Sequence, residues 1–99
     1  QGLGYALFEE RQIDRARGVP LNTNLHDYRI PTMAYIPAID ASFLPGADTT
    51  ANHTGARGID EPPIIPTAPA IAAAVADALG VEVRGIPLTP WRVLGALAQ

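Results

Sequence analysis

Cysteine and lysine are both absent from the 99 residues. Without cysteine the chain forms no disulfide and offers no thiolate to zinc or to an iron–sulfur cluster. Without lysine its seven basic residues are all arginine, scattered singly against ten Asp and Glu, for a net charge of −3. Such a chain has no basic patch to track a phosphate backbone, which argues against a nucleic-acid partner. Serine occurs once, at Ser42, with no glycine elbow around it, so no Ser–His–Asp arrangement is credible. His26 and His53 are the only histidines. Neither has a ligand-type partner at i+3 or i+4, so both are read as surface or loop residues and no metal ligand is assigned. The longest apolar stretch, Ala68 to Ala76, is broken by Pro69 and falls far short of the roughly 20 residues that span a bilayer. No membrane partner is expected.

What is present suits a folded chain. Hydrophobic residues make up 47% and charged residues 17%, too apolar and too weakly charged for intrinsic disorder. The length is that of one small domain, whose surface-to-volume ratio leaves little margin. The chain opens on Gln1 rather than Met, in residues that already read as helix, and no basic-then-apolar leader precedes them. A fragment is the expectation.

Along the chain, Gly2 to Glu10 predicts a short helix, with Leu3, Leu7 and Glu10 on one face. Its two glycines weaken a stand-alone helix and suit a close approach to the backbone. Gly2-Leu3-Gly4 is too short for a dinucleotide fingerprint, which needs a preceding strand and a third glycine. Gln12 to Asp14, followed by Arg17-Gly18-Val19-Pro20, reads as a strand leading into a turn. Leu21 to Asp27 is Asn-rich loop. Ile39, Ala41 and Phe43 alternate with Asp40 and Ser42, which predicts a half-buried strand to Leu44. A helix is expected to open with Thr67 as N-cap and Pro69 in its first turn, and to stop at Gly80. Val81 to Arg84 reads as a short strand, and Thr89-Pro90 opens a last helix in the same cap-then-proline style. Ten prolines suggest a chain that runs extended against a neighbour. The fold class is therefore α+β, with short helices at both ends and in the middle, packed on a small mixed or antiparallel sheet.

Gly55 to Pro63 is the segment that can carry chemistry. Glycines and prolines hold Glu61 on irregular backbone, the usual setting of a site residue. A carboxylate beside another acid, Asp60, and walled by Ile59, Pro62 and Pro63 suits general-base work near neutrality. The plainer alternative is a capping or solvated Asp–Glu pair in a proline turn.

These segments, taken in order, resemble one family throughout. They are Gln1-Gly2-Leu3-Gly4, then Glu9-Glu10, then Asn24-Leu25-His26-Asp27-Tyr28-Arg29-Ile30-Pro31-Thr32, then Ile36-Pro37, then Gly55 through Pro63. The Ala-rich helix with Gly80, Pro87, Thr89 and Pro90 completes the set. The chain resembles the C-terminal end of the molybdenum-binding large subunit of the xanthine dehydrogenase and aldehyde oxidase family, in its bacterial branch. The resemblance covers nearly all 99 residues and implies one domain or fragment, 1–99, of a larger molybdopterin-binding domain.

The resemblance also implies molybdenum hydroxylase chemistry, in which a hydroxide on a molybdenum–pterin centre attacks an aldehyde or N-heterocycle. A glutamate acts as general base, and the matching position is Glu61. Arg57, Gly58 and Ile59 match the loop against the cofactor and substrate, where small residues allow close approach, and Gly58, Ile59 and Asp60 are the cofactor-binding residues this implies. Gln1 and Gly2 match a segment near the pterin. Asp60 departs from most of the family, which carries glycine there, and adds a side chain and a negative charge beside Glu61. The implied partners are the remainder of the subunit and iron–sulfur and flavin subunits or domains. The implied compartment is the cytoplasm or periplasm. Alone, 99 residues are expected neither to hold the cofactor nor to turn over substrate. A reading of another class remains beside this one, a stand-alone truncated relic that acts as a non-catalytic, self-associating module.

Overall fold

The computed structural model describes residues 1–59 and 61–99. In chain order it contains helix α1 (Gly2–Leu7), strands β1 (Ile13–Asp14) and β2 (Val19–Pro20), a 3-10 turn (Met33–Tyr35), helix α2 (Thr67–Leu79) and helix α3 (Pro90–Leu97). The class is α+β. Its sheet is one small antiparallel hairpin, with Ile13 opposite Pro20 and Asp14 opposite Val19.

The hairpin turns on residues the sequence supplies locally. The Asp14 carboxylate accepts from the amides of Ala16 (2.9 Å) and Arg17 (3.3 Å). Gly18 then closes the turn at φ +69°, a conformation that costs glycine little. Buried Asn22 holds the base of the hairpin. Its Oδ1 accepts from the Gln12 amide at 2.9 Å and its Nδ2 donates to the Glu10 carbonyl at 2.6 Å.

The centre of the molecule is the seam between α1 and α2. Ala6, Ala68 and Leu88 are its buried hydrophobic side chains among the described residues. Buried Gly2 faces Thr67 so closely that a Cβ there would stand 2.5 Å from the Thr67 Cβ. That contact is the close approach the glycines predicted. Gly2→Ala is accordingly expected to push α1 off α2 and to destabilise the fold by about 1–3 kcal/mol, the usual cost of overpacking. Denaturant titration of the complete protein carrying that change checks it. The segment before α3 joins the seam where the Leu88 amide donates to the Ala6 carbonyl at 2.7 Å. Arg92 of α3 donates to the Pro87 carbonyl at 2.7 Å and pairs with the Glu10 carboxylate.

Several expected elements differ. The first helix stops at Leu7, because Phe8 leaves helical angles (φ −128°) while its amide and that of Glu9 both return to the Gly4 carbonyl. Pro66, not Thr67, is the N-cap of α2, and the Thr67 hydroxyl donates backwards to the Pro63 carbonyl at 3.2 Å. Gly80 ends α2 in the left-handed conformation, φ +71°. At α3 the Thr89 hydroxyl does accept from the Arg92 amide, at 3.4 Å, with Pro90 in the first turn.

Ile39–Leu44 and Val81–Arg84 form no strand. Alternation gives a segment two faces, whereas a ladder also needs a neighbouring strand to take its main-chain groups. Neither segment has one among the described residues. The first instead forms part of an arm whose side chains reach outward, with Met33 89%, Phe43 83% and Leu44 95% exposed.

The whole is expanded. The radius of gyration is 18.1 Å, against about 13 Å for a compact domain of this length. The accessible surface is 8351 Å², against about 5,400 Å² for a compact monomer of this mass.

Candidate functional site

The candidate segment is organised by one side chain upstream of it. Asn52 Oδ1 accepts from the Thr54 amide (3.1 Å), the Thr54 hydroxyl (2.7 Å) and the Ala56 amide (3.0 Å), while its Nδ2 donates to the Ala56 carbonyl at 2.7 Å. Gly55 sits inside this cage at φ +69°, and a Cβ there would stand 2.6 Å from the Ala47 Cβ. The chain is thus folded back on residues 47–48. Arg57 reaches across the fold to the Asp48 carboxylate at 3.2 Å.

Asp48 is held below the ordinary carboxylate value of 3.8, first by the Thr50 hydroxyl and then by the Thr50 and Ala51 amides. A depressed carboxylate stabilises the fold above its unfolded value, and that contribution is lost as pH falls through the folded one. The Asp48 carboxyl carbon is therefore expected to titrate below 3.8 in an NMR pH series, with the 48–57 loop loosening at the acid end. A titration at or above 3.8 would contradict the arrangement.

Beyond Arg57 the segment lies along residues 42–47, and an open groove of about 560 Å³ runs between them. Phe43, Leu44 and Ile59 give it apolar walls, with Pro62 and Pro63 at one end. Gly58 is exposed on this lip, with nothing within 4 Å of where a Cβ would be. Ile59 is half-exposed.

Glu61 is exposed, as are Pro62 and Pro63. The apolar wall expected around its carboxylate is therefore not formed, because the loop lies on an open face of the chain. The Asp60 assignment lies outside the described residues. Ion pairs among the described residues use Asp14, Asp48, Glu82 and Glu10, and Glu61 is in none of them.

The Glu61 main chain is firmly held. Its carbonyl accepts from the amides of Ile64 (2.9 Å) and Ile65 (3.2 Å), which makes Glu61 the first residue of a helical turn leading into α2. That turn is tied to α1, since the Tyr5 hydroxyl donates to the Ile64 carbonyl at 2.9 Å. Gly2 presses on Thr67 a few residues later, and Gln1 is exposed at the open end of α1. The α1–α2 seam thus brings Gln1 and Gly2 to the same side of the molecule as the turn after Glu61. The role of Tyr5 escapes a reading by periodicity, which places it among apolar neighbours. Its one signal is that a half-buried tyrosine hydroxyl needs an acceptor.

Among the described residues no group of three or more His, Asp or Glu side chains is placed to hold a metal ion, and no helix is long and apolar enough to cross a membrane.

Comparison with known proteins gives a consistent picture. Residues 1–37 match the molybdopterin cofactor-binding domain family. The chain is 45% identical over 92 residues to the putative xanthine dehydrogenase molybdenum-binding subunit XdhA of Escherichia coli K12, covering 93% of this chain and 12% of that protein. It is 36% identical over 95 residues to the gamma subunit of the 6-hydroxypseudooxynicotine dehydrogenase complex of Paenarthrobacter nicotinovorans, covering 94% of this chain and 12% of the relative. Among solved structures, quinoline 2-oxidoreductase of Pseudomonas putida 86 superposes with a TM-score of 0.82 at 30% identity, over 99% of this chain and 13% of that one. The chain spans about an eighth of the length of these proteins.

Proposed function

We propose, for a chain related over nearly its whole length to one segment of the molybdenum-binding subunits of the xanthine dehydrogenase and aldehyde oxidase family, that it is part of a molybdenum-dependent hydroxylase. Its substrate class is an aldehyde or N-heterocycle, and Glu61 is the general base. The observation that carries this is the relatedness of nearly the entire chain to such subunits. The sequence order of Gly58, Ile59 and Glu61 supports the residue assignment.

The residues fit a large polar group bound beside them. The Glu61 carboxylate is exposed, and the space over Gly58 is open to close approach. Gln1 presents an exposed side chain, while Gly2 beside it is buried against Thr67. Gly58, Ile59 and Asp60 line the reacting end in this reading, with Gln1 and Gly2 toward the pterin. When bound, the molybdenum–pterin cofactor supplies the oxygen nucleophile and the two-electron redox chemistry. Glu61 would act on that chemistry as a proton acceptor, taking a proton at a carboxylate oxygen. Ile59 and Phe43 would give the substrate ring or chain an apolar surface along the open groove.

The exposed apolar arm and the large accessible surface support the remainder of the subunit as the surrounding partner. Iron–sulfur and flavin subunits or domains complete the electron path. Residues 1–99 form, on this reading, one piece of a larger molybdopterin-binding domain. The same exposed surface favours the second reading, a non-catalytic relic that self-associates. Turnover and molybdenum content of Glu61→Gln in the complete subunit test the first reading. The mass of the isolated 99 residues in solution tests the second.

A further inference from the structure

We infer that Tyr5 is a positioning residue for Glu61, acting through a single peptide plane. The Ile64 carbonyl and the Ile65 amide belong to one planar, rigid unit. At one end the Tyr5 hydroxyl donates to that carbonyl at 2.9 Å. At the other end the amide donates to the Glu61 carbonyl at 3.2 Å. Helix α1 thereby sets the orientation of the peptide that holds Glu61, across 59 residues of sequence. The two ends of this relay are unequal in freedom. Tyr5 is half-buried on a helix packed at the Gly2–Thr67 contact, whereas Glu61 is exposed. The fixed end therefore sets the position of the free end.

The Ile64 carbonyl also accepts from the Thr67 amide at 3.2 Å. Loss of the hydroxyl consequently leaves the turn formed but less constrained, so that Glu61 samples a wider range of positions. A general base contributes fully only within hydrogen-bond reach of its proton, and small misplacements of reacting groups cost rate rather than binding.

The proposal rests on Glu61 being the general base. Its test is Tyr5→Phe in the complete, cofactor-loaded subunit, with Tyr28→Phe as a matched control. Tyr28 also spends its hydroxyl on a carboxylate of the chain, Glu9, at 2.8 Å, away from the Glu61 turn. Tyr5→Phe is expected to lower kcat about five- to ten-fold, the loss that one hydrogen bond's worth of ordering predicts, with KM and molybdenum content unchanged. In the resting protein, hydrogen exchange at the Ile64 and Ile65 amides is expected to quicken several-fold. Tyr28→Phe is expected to move neither kcat nor those two amides. Equal kcat in Tyr5→Phe and the parent, or equal losses in the two tyrosine variants, overturns the relay while leaving the role of Glu61 standing. Full activity of Glu61→Gln overturns both.

Discussion

Glu61→Gln in the complete molybdenum-binding subunit is expected to lower turnover about a thousand-fold, within the range that a positioned general base contributes. That corresponds to about 4 kcal/mol of transition-state stabilisation. The substitution keeps the size of the side chain and removes its capacity to take a proton. The Glu61 main chain is held through its carbonyl by the Ile64 and Ile65 amides, and those bonds do not depend on the side chain. The turn into α2 therefore survives, and with it the α1–α2 seam. Molybdenum content and thermal stability are expected to match the parent, so the defect resides in kcat. A variant retaining more than about a tenth of the parent's turnover would remove Glu61 from the role, given the contribution such bases make.

The isolated 99-residue polypeptide is expected to show no sharp thermal unfolding transition and to self-associate at micromolar concentration. Three hydrophobic side chains, Ala6, Ala68 and Leu88, are buried among the described residues, and two of them are alanines that bring little apolar area. Against this stand Met33, Phe43 and Leu44 on the arm and Trp91 on α3, all more than four-fifths exposed. Ordering a residue costs about 1–2 kcal/mol of backbone entropy, which so small a core does not offset. Exposed apolar surface on this scale drives association. Differential scanning calorimetry and sedimentation velocity on the isolated chain check both statements. A monodisperse monomer with a cooperative transition would show that the arm and α3 need no cover.

The local grammar of this chain is written in short stretches of its sequence. Thr89-Pro90 opens a helix and Gly80 closes one because a hydroxyl acceptor, a ring-locked φ and a missing Cβ act within a turn of where they stand. Asp14 and Gly18 make the hairpin turn for the same reason. The two glycines of α1 announced a close contact, and the relatedness to molybdenum-binding subunits was legible in ordered motifs from Gln1 to Pro90. The alternation of Ile39 to Phe43 misled, since a strand is defined by a partner and a residue pattern names none. The apolar wall expected around Glu61 failed similarly, because adjacency in sequence is not enclosure in space.

Sequence alone therefore determined the helix limits near Gly80 and Thr89 and the exclusion of disulfide and thiolate chemistry. Each follows from a residue's own stereochemistry or from its absence. Only the tertiary structure decided that Gly2 meets Thr67, that Arg57 reaches Asp48, and that the Tyr5 hydroxyl finds the carbonyl of Ile64. Two of those contacts join the first turn of the chain to the segment around Glu61, some sixty residues away. No local rule selects such a pairing. It arises when α1 and α2 bury their small faces together.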